Sequence, residues 1–234
     1  MRLWLFLFCV SSLFATDETT LKYINYLQHL PAKTKKHRFY KLVLPPTQKV
    51  HTSLLETFLQ VKKEVAKKTI SPQTKKLLKT YKAKDYKELL VRLKPHPVSI
   101  TLAQAAIESG WGTSRFFVEA NNIFGMWSKT QKDAIRAEKT RSNGKVIHVK
   151  KYKTLLDAIK AYYYNIATNK AYEKFRKARY ESKDPYEIVA FLDNYSEKKE
   201  LYTAHLIKVM YYNNMTKYDS PLFAVGRERV ISPQ

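Results

Sequence analysis

Apolar residues recur at three- and four-residue steps along most of this chain, and that spacing changes to alternation in one place. Within residues 47–68 the apolar positions are typical of an amphipathic helix: Val50, Leu54, Leu55, Phe58, Val61 and Val65. Within residues 134–152 apolar and polar residues alternate on either side of Asn143-Gly144, a dipeptide that favours the type I′ turn of a β-hairpin. The sequence therefore predicts a mainly α (α+β) fold with one inserted hairpin.

Other helices are predicted where the same spacing is bounded by helix start and stop residues. These segments are 21–30, 70–81, 83–93, 98–109, 154–168, 171–181, 185–193 and 198–213. We divide the chain into a signal segment (1–15), a basic N-terminal arm (16–45), a helical domain (46–215) and a C-terminal tail (216–234). The charge run of the arm is typical of a solvated segment.

The first fifteen residues have the composition of a cleaved secretory signal. Arg2 precedes an apolar core at residues 3–10, and small residues lead to Ala15. The core is too short to span a bilayer as a helix. A retained anchor is the alternative, and a lipid-modified Cys9 is disfavoured by the bulky Phe8 before it. We therefore expect export to the periplasm or cell envelope.

The charge of the chain narrows the class of partner. Lys and Arg number 43 against 20 acidic residues, for a formal net charge of +23. Such a surface attracts polyanions. Export argues against nucleic acid as the main partner, so an anionic cell wall or membrane surface remains, and we expect a monomer. The single cysteine lies within the signal segment, so the exported chain has no disulfide framework.

One carboxylate, Glu108, lies at the end of an apolar helical stretch that stops at Gly110. A carboxylate in a last helical turn faces the partial negative charge of the helix end, which disfavours ionisation. Ile107 and Trp111 add desolvation in the same direction. A carboxyl that stays protonated near neutral pH is what a general acid at a glycosidic oxygen requires. The alternative is a solvent-facing Glu at an ordinary helix end.

The segment LAQAAIESGWGTSRF, followed by NNIFGMW, resembles the catalytic signature of bacterial N-acetylglucosaminidases, glycoside hydrolase family 73, and within it the Bax-like proteins. The resemblance extends over about residues 39–213. It implies a lysozyme-like, mainly α fold with a β-hairpin beside the active-site cleft. It also implies endo-acting cleavage of peptidoglycan glycan strands on the reducing side of N-acetylglucosamine, with Glu108 as the catalytic acid and no cofactor.

The same resemblance implies a second acidic residue on or near the hairpin. Glu138 lies at the matching place, and Asp133 and Glu119 are the alternatives. The basic neighbours of Glu138 favour its ionised form, as a base or electrostatic stabiliser requires. The two acids would then have opposite protonation preferences, the arrangement that glycoside hydrolysis uses.

A tyrosine that resembles the functional one of the family is Tyr202, whose hydroxyl could position the acetamido group or an attacking water. Flat aromatic faces suit sugar rings. The predicted substrate contacts are Trp111, Asn122, Phe124, Trp127 and Tyr163. The alternative for these aromatic residues is a place in the core.

Two other functions stay open at this point. A lytic transglycosylase shares the lysozyme-like cleft and the catalytic Glu, although the NNIFG segment and the hairpin acid point away from it. A wall-binding or assembly factor could have kept the fold without the activity. The six histidines show no metal-ligand spacing, and we expect no metal or cofactor.

Overall fold

The computed structural model describes residues 18–128, 130–140, 146–195 and 199–220. Its α-helices are α1 (Glu18–His29), α2 (Ala32–Lys67), α3 (Pro72–Thr80), α4 (Tyr86–Leu93), α5 (Val98–Ser109), α6 (Arg115–Ala120), α7 (Leu155–Thr168), α8 (Glu173–Glu181), α9 (Pro185–Val189) and α10 (Lys199–Tyr212). Short 3-10 helices occupy Lys170–Tyr172, Ala190–Tyr195 and Met215–Tyr218. The predicted mainly helical fold is confirmed.

The predicted hairpin is also present, as strands β1 (Ala134–Thr140) and β2 (Val146–Lys150). The strands are antiparallel, with Ile135 opposite Val149 and a register shift between Arg136 and Thr140. Asn143-Gly144 lies outside the described residues. β2 is joined to the loop before β1, because the Lys150 amide donates to the Met126 carbonyl at 2.9 Å.

Helix α5 forms the centre of the domain. Every residue of α5 except Ile107 and Glu108 is buried, and the helix packs against α2, α9, α10 and Met215–Tyr218. The signal for a buried helix is its long apolar run, in which Ile100 and Leu102 are fully buried. Glu108 therefore lies where a core helix reaches the edge of the core.

The N-terminal segment differs from the prediction. The boundary between the basic arm (16–45) and the domain (46–215) falls inside α2, a continuous helix of 36 residues. Phe39 and Val43 are fully buried in the core, and Leu27 of α1 is 1% exposed. The prediction of a solvated charge run was wrong at Phe39, because one face of α2 carries apolar residues that are buried in the core.

The predicted tail (216–234) also begins too early. Met215–Tyr218 is a 3-10 helix. Asp219 accepts hydrogen bonds from the Ser99 amide and hydroxyl, both at 2.7 Å. This carboxylate thereby satisfies donors in the first turn of α5. Residues 221–234 lie outside the described part of the chain, as do residues 1–17.

Three cationic side chains lie at the C-terminal ends of helices. The buried guanidinium of Arg179 donates to the Arg92 carbonyl in the last turn of α4 at 2.8 Å. Arg92 donates to the Ala167 carbonyl of α7 at 3.1 Å, and Lys94 donates to the Tyr180 carbonyl of α8 at 3.1 Å. Cations at these ends satisfy free carbonyls and oppose the helix dipole.

The turn from α2 to α3 is held by Glu64. Its carboxylate accepts from the Ser71 amide at 3.0 Å and from the Gln60 side chain at 2.9 Å. The Ser71 hydrogen bond, followed by that of Gln60, lowers the Glu64 pKa from about 4.5 to about 2. The depressed pKa means that this stabilisation is present above pH 4.5 and is lost as pH falls towards 2.

We expect Glu64→Gln to lower the melting temperature at pH 7 and to flatten its fall between pH 5 and pH 2, because the glutamine no longer titrates. Thermal denaturation followed by circular dichroism at several pH values measures both effects. Glu56→Gln, at an exposed position of the same helix, is the matched control. An acid dependence equal in the Glu64 variant and the wild type would contradict this assignment.

None of the described helices combines the length and the apolar character that crossing a bilayer needs.

Candidate active site

The backbone turns sharply just after Glu108. Gly110, Trp111 and Gly112 all have left-handed conformations, with φ of 56°, 62° and 76°. The Trp111 amide closes the helix on the Ala106 carbonyl at 2.8 Å. Trp111 adopts a backbone region that is uncommon for large side chains. The Gly-Trp-Gly sequence thus ends α5 abruptly, directly after the turn that carries Glu108.

Helix α2 braces this turn. The Arg38 guanidinium donates to the Gly112 carbonyl at 2.9 Å. The Phe39 ring meets the Trp111 ring edge-on, with centroids 5.3 Å apart. Lys36 Nζ lies 5.1 Å from the Trp111 ring centre, within the range of a cation–π contact. The basic segment that the sequence placed outside the domain therefore borders the candidate site.

The Glu108 side chain lies in a mostly buried setting. Burial raises its pKa, and a hydrogen bond donated by Tyr202 to Oε1, at 3.0 Å, opposes that rise. Desolvation is the larger effect, so the carboxyl keeps its proton to higher pH than an exposed glutamate. The structure thus brings Glu108 and Tyr202, which are 94 positions apart, into direct contact.

Two of the predicted substrate contacts are core residues instead. Phe124 is 3% exposed and lies flat on Tyr162, with ring centroids 4.0 Å apart. Tyr163 is equally buried, stacks on His96 and accepts a hydrogen bond from Thr101. The prediction that Phe124 and Tyr163 contact substrate is therefore wrong, because other side chains of the core cover both rings.

Asn122 is also a structural residue. It is buried, and its amide nitrogen donates to the carbonyls of Met126 and Lys150 at 2.8 and 2.7 Å. Its amide oxygen accepts from the Met126 amide at 2.9 Å. Because backbone atoms satisfy both ends of the side-chain amide, Asn122 connects the loop after α6 to β2. The predicted substrate contact at Asn122 is wrong.

The two tryptophans among the predicted substrate contacts keep exposed surface. Trp111 is partly exposed, and Trp127 is 58% exposed. Trp127 pairs through its backbone with Val149 of β2, so the hairpin determines where this ring lies. Both stay predicted substrate contacts.

The three candidates for the second acidic residue differ in their surroundings and in whether their side chains are described. Glu138 lies on β1 in the stretch where the register shifts, and its side chain is outside the described part of the structure. Glu119 accepts from Arg115 Nε at 3.0 Å in an ion pair with little exposure. Asp133 is exposed, with φ of 53°, directly before β1. Glu138 stays the predicted second group.

Sequence reasoning missed two neighbours of Glu108. Gln104 is fully buried, and its amide donates to Tyr202 Oη at 3.2 Å. It lies four residues before Glu108 and so on the same helix face, which was the available signal. Gly125 is the other, since a Cβ there would lie 3.8 Å from Glu108 Oε2. Within the described residues, no group of three or more His, Cys, Asp or Glu side chains is placed to hold a metal ion.

A helical domain with a hairpin, in which a largely buried carboxyl lies at the end of a core helix, has a layout that suits a glycoside hydrolase. The glucosaminidase family, described as mannosyl-glycoprotein endo-beta-N-acetylglucosaminidase, matches residues 83–215. The chain belongs to this family, which confirms the resemblance found in the sequence.

A curated relative is Protein bax of Escherichia coli (strain K12), which is 32% identical over 154 residues. The match covers 60% of this chain and 54% of the relative, so the chain spans about half the length of that protein.

Among solved structures, the catalytic domain of the autolysin Auto from Listeria monocytogenes has a TM-score of 0.50 at 17% identity. That match covers 88% of this chain and 99% of the autolysin domain. It supports the fold. A peptidoglycan hydrolase from Sphingomonas sp. A1 is more distant, with a TM-score of 0.42 at 19% identity, over 63% of this chain and 86% of that one.

Proposed function

We propose that this protein is an exported peptidoglycan hydrolase that cleaves the β-1,4 bond on the reducing side of N-acetylglucosamine in glycan strands. The observation that carries the proposal is the Glu108 carboxyl, which is largely but not fully buried at the end of α5 and accepts a hydrogen bond from Tyr202. Membership of the glucosaminidase family supports the class of bond. The apolar segment at residues 3–10 supports export to the periplasm or cell envelope.

The substrate class follows from charge. With a formal net charge of +23, the protein is attracted to polyanions. Peptidoglycan carries carboxylates on its stem peptides, and its glycan contains the N-acetylglucosamine linkage that a glucosaminidase cleaves. Lys36, beside Trp111, places part of that positive charge at the edge of the site. An anionic, N-acetylglucosamine-containing polymer fits both features.

In the proposed mechanism Glu108 donates its proton to the glycosidic oxygen. Burial favours the protonated form before the reaction, and Tyr202 stabilises the carboxylate that is left afterwards. Trp111 and Trp127, which keep exposed surface, offer faces for sugar rings. Glu138, on β1, supplies the ionised carboxylate that activates water or stabilises the positive charge that develops on the sugar.

The test is the chemistry of the products. Protein lacking residues 1–15 is incubated with purified peptidoglycan, and the released fragments are analysed by mass spectrometry. We expect reducing-end N-acetylglucosamine. Anhydromuramic ends would identify a lytic transglycosylase instead, and binding without any released fragment would identify a wall-binding factor.

We expect Glu138→Gln to reduce turnover about 100-fold, the order of magnitude of acid–base catalysis, and to change glycan binding little. Reducing-sugar release and a pull-down on insoluble peptidoglycan measure the two effects. Glu119→Gln and Asp133→Asn are the comparison variants, since Glu119 is occupied by Arg115 and Asp133 is exposed. A mild effect at Glu138 with a crippling one at Asp133 would move the second acid to Asp133.

A further inference from the structure

A chain of hydrogen bonds runs through the core from His96 to Glu108. His96, between α4 and α5, is fully buried, and its Nε2 lies 3.0 Å from Tyr162 Oη. Tyr162, on α7, donates in turn to Gln104 Oε1. The amide of Gln104 donates to Tyr202 Oη at 3.2 Å, and Tyr202 donates to Glu108 Oε1 at 3.0 Å. From Tyr162 onwards, every donated proton in this chain points towards Glu108.

The amide of Gln104 fixes that direction. A hydroxyl can exchange donor for acceptor by rotating, whereas an amide donates only through nitrogen and accepts only through oxygen. Turning the amide over would make Tyr162 donate to His96 Nε2, which would move the imidazole proton to Nδ1. His96 Nδ1 has no hydrogen-bond partner among the described residues. A buried N–H without a partner is rarer than a buried acceptor without one, so the observed direction is favoured.

The titratable groups that face this chain come from the helices packed around it. They are His51 on α2, Tyr163 on α7, Tyr172 and Tyr195 in 3-10 helices, and Arg179 on α8. Burial lowers the His51 pKa to about 4. Burial raises the pKa of these tyrosines and of the two in the chain, and it lowers the pKa of His96. All of them are uncharged near neutral pH except Arg179, which faces the His96 end. Glu108 is therefore the chain member whose ionisation can be followed.

We propose that Gln104 is a positioning residue, which points the Tyr202 hydroxyl proton at Glu108 Oε1 and so leaves the acid's own proton on Oε2. Oε2 is the oxygen that faces Gly125, where the missing side chain leaves space. The inference rests on the proposed function, because it takes Glu108 as the general acid. It adds that the protonated oxygen is selected by a residue that does not touch substrate.

Gln104→Leu removes the donor to Tyr202 and keeps a buried side chain of similar size. We expect kcat on glycan strands to fall about tenfold, with KM within about twofold, because the sugar contacts are untouched. Tyr202 is then free to turn away, and Glu108 loses a hydrogen bond that favours its ionised form. The basic limb of the kcat profile should therefore move to higher pH. A residue that only packs the core would not move that limb.

Gln104→Glu is the sharper variant, because an ionised carboxylate can only accept. At a pH where the new carboxyl is ionised, it should draw the Tyr202 proton away from Glu108, and activity there should be at least as low as in Gln104→Leu. When the new carboxyl is protonated it can donate again. Part of the lost activity should therefore return as pH falls. The Gln104→Leu variant should show no such recovery, because leucine has no group that gains a proton. Identical pH profiles for the two variants would overturn the proposal.

Tyr162→Phe removes the preceding link and should shift the pH profile in the same direction. Tyr152→Phe is its matched control, since Tyr152 is also buried but its hydroxyl contacts Met126 Sδ at 3.4 Å. Tyr152→Phe should leave kcat and its pH profile unchanged. A Tyr162→Phe profile that matches this control would overturn the role of the chain.

A readout independent of hydrolysis separates this inference from the proposed function. Carbon-13 NMR follows the titration of the Glu108 carboxyl in the protein lacking residues 1–15, with Glu108→Gln identifying the signal. The Gln104→Leu variant should titrate at higher pH than the wild type, and an unchanged titration overturns the inference. A shifted titration in a protein that releases no fragments would support the positioning role and overturn the proposed function.

Discussion

Glu108→Gln should reduce hydrolysis of peptidoglycan by about 100-fold or more while the fold stays intact. The amide has nearly the same shape as the carboxyl, and its oxygen can still accept the hydrogen bond from Tyr202. It cannot donate a proton to the glycosidic oxygen. Release of soluble fragments from purified peptidoglycan measures the loss, and thermal denaturation measures the fold.

Wild-type activity should also fall as pH rises through the raised pKa of Glu108, since only the protonated form can act as the acid. Glu200→Gln, at an exposed position on the helix that carries Tyr202, is the control and should behave as wild type. A folded Glu108→Gln protein that keeps most of its activity would remove Glu108 from the mechanism.

Phe39→Ala should lower the free energy of unfolding by about 3–5 kcal/mol, the range for truncating a fully buried phenylalanine. The loss combines removed apolar contact with the cavity left between α2 and the Trp111 ring. Urea denaturation at equilibrium measures it. The result bears directly on whether residues 32–45 belong to the domain.

Leu42→Ala is the matched control for this variant. Leu42 lies on the same helix but is 41% exposed, so its truncation should change the free energy of unfolding by no more than about 0.5 kcal/mol. Equal effects at Phe39 and Leu42 would show that the start of α2 does not contribute to the folded domain.

The sequence of α2 contains a helical spacing of apolar residues that its high positive charge obscured. Phe39, Val43, Thr47 and Val50 are buried at steps of four, four and three, which is the spacing of one helix face. The surrounding lysines dominate the composition, and Pro45-Pro46 suggests a break although the helix continues through it. Periodicity was the better guide here than charge.

Several features of the candidate site depend on contacts between residues that are distant in the sequence, and local sequence patterns do not predict these contacts. The place of Glu108 at the end of a core helix was predictable, because the apolar stretch and the Gly stop lie side by side in the sequence. The burial of Phe124 depends on Tyr162 and that of Asn122 on Lys150, which are distant in the chain. Only the resemblance to a family pointed to Tyr202. Aromatic residues near a motif are equally suited to a cleft and to a core.

The cations at the helix ends bear on the conditions that this protein can tolerate. Arg179 is balanced by the backbone carbonyls of Val91 and Arg92, whereas Arg92 also pairs with the Glu88 carboxylate at 2.7 Å. A carbonyl gains no proton in acid, whereas an aspartate or glutamate partner would be neutralised and leave its arginine unmatched. The contact also lies largely out of reach of dissolved ions, which screen exposed pairs most. The hydrogen bonds of Arg179 to these carbonyls should therefore persist in acid and at high salt.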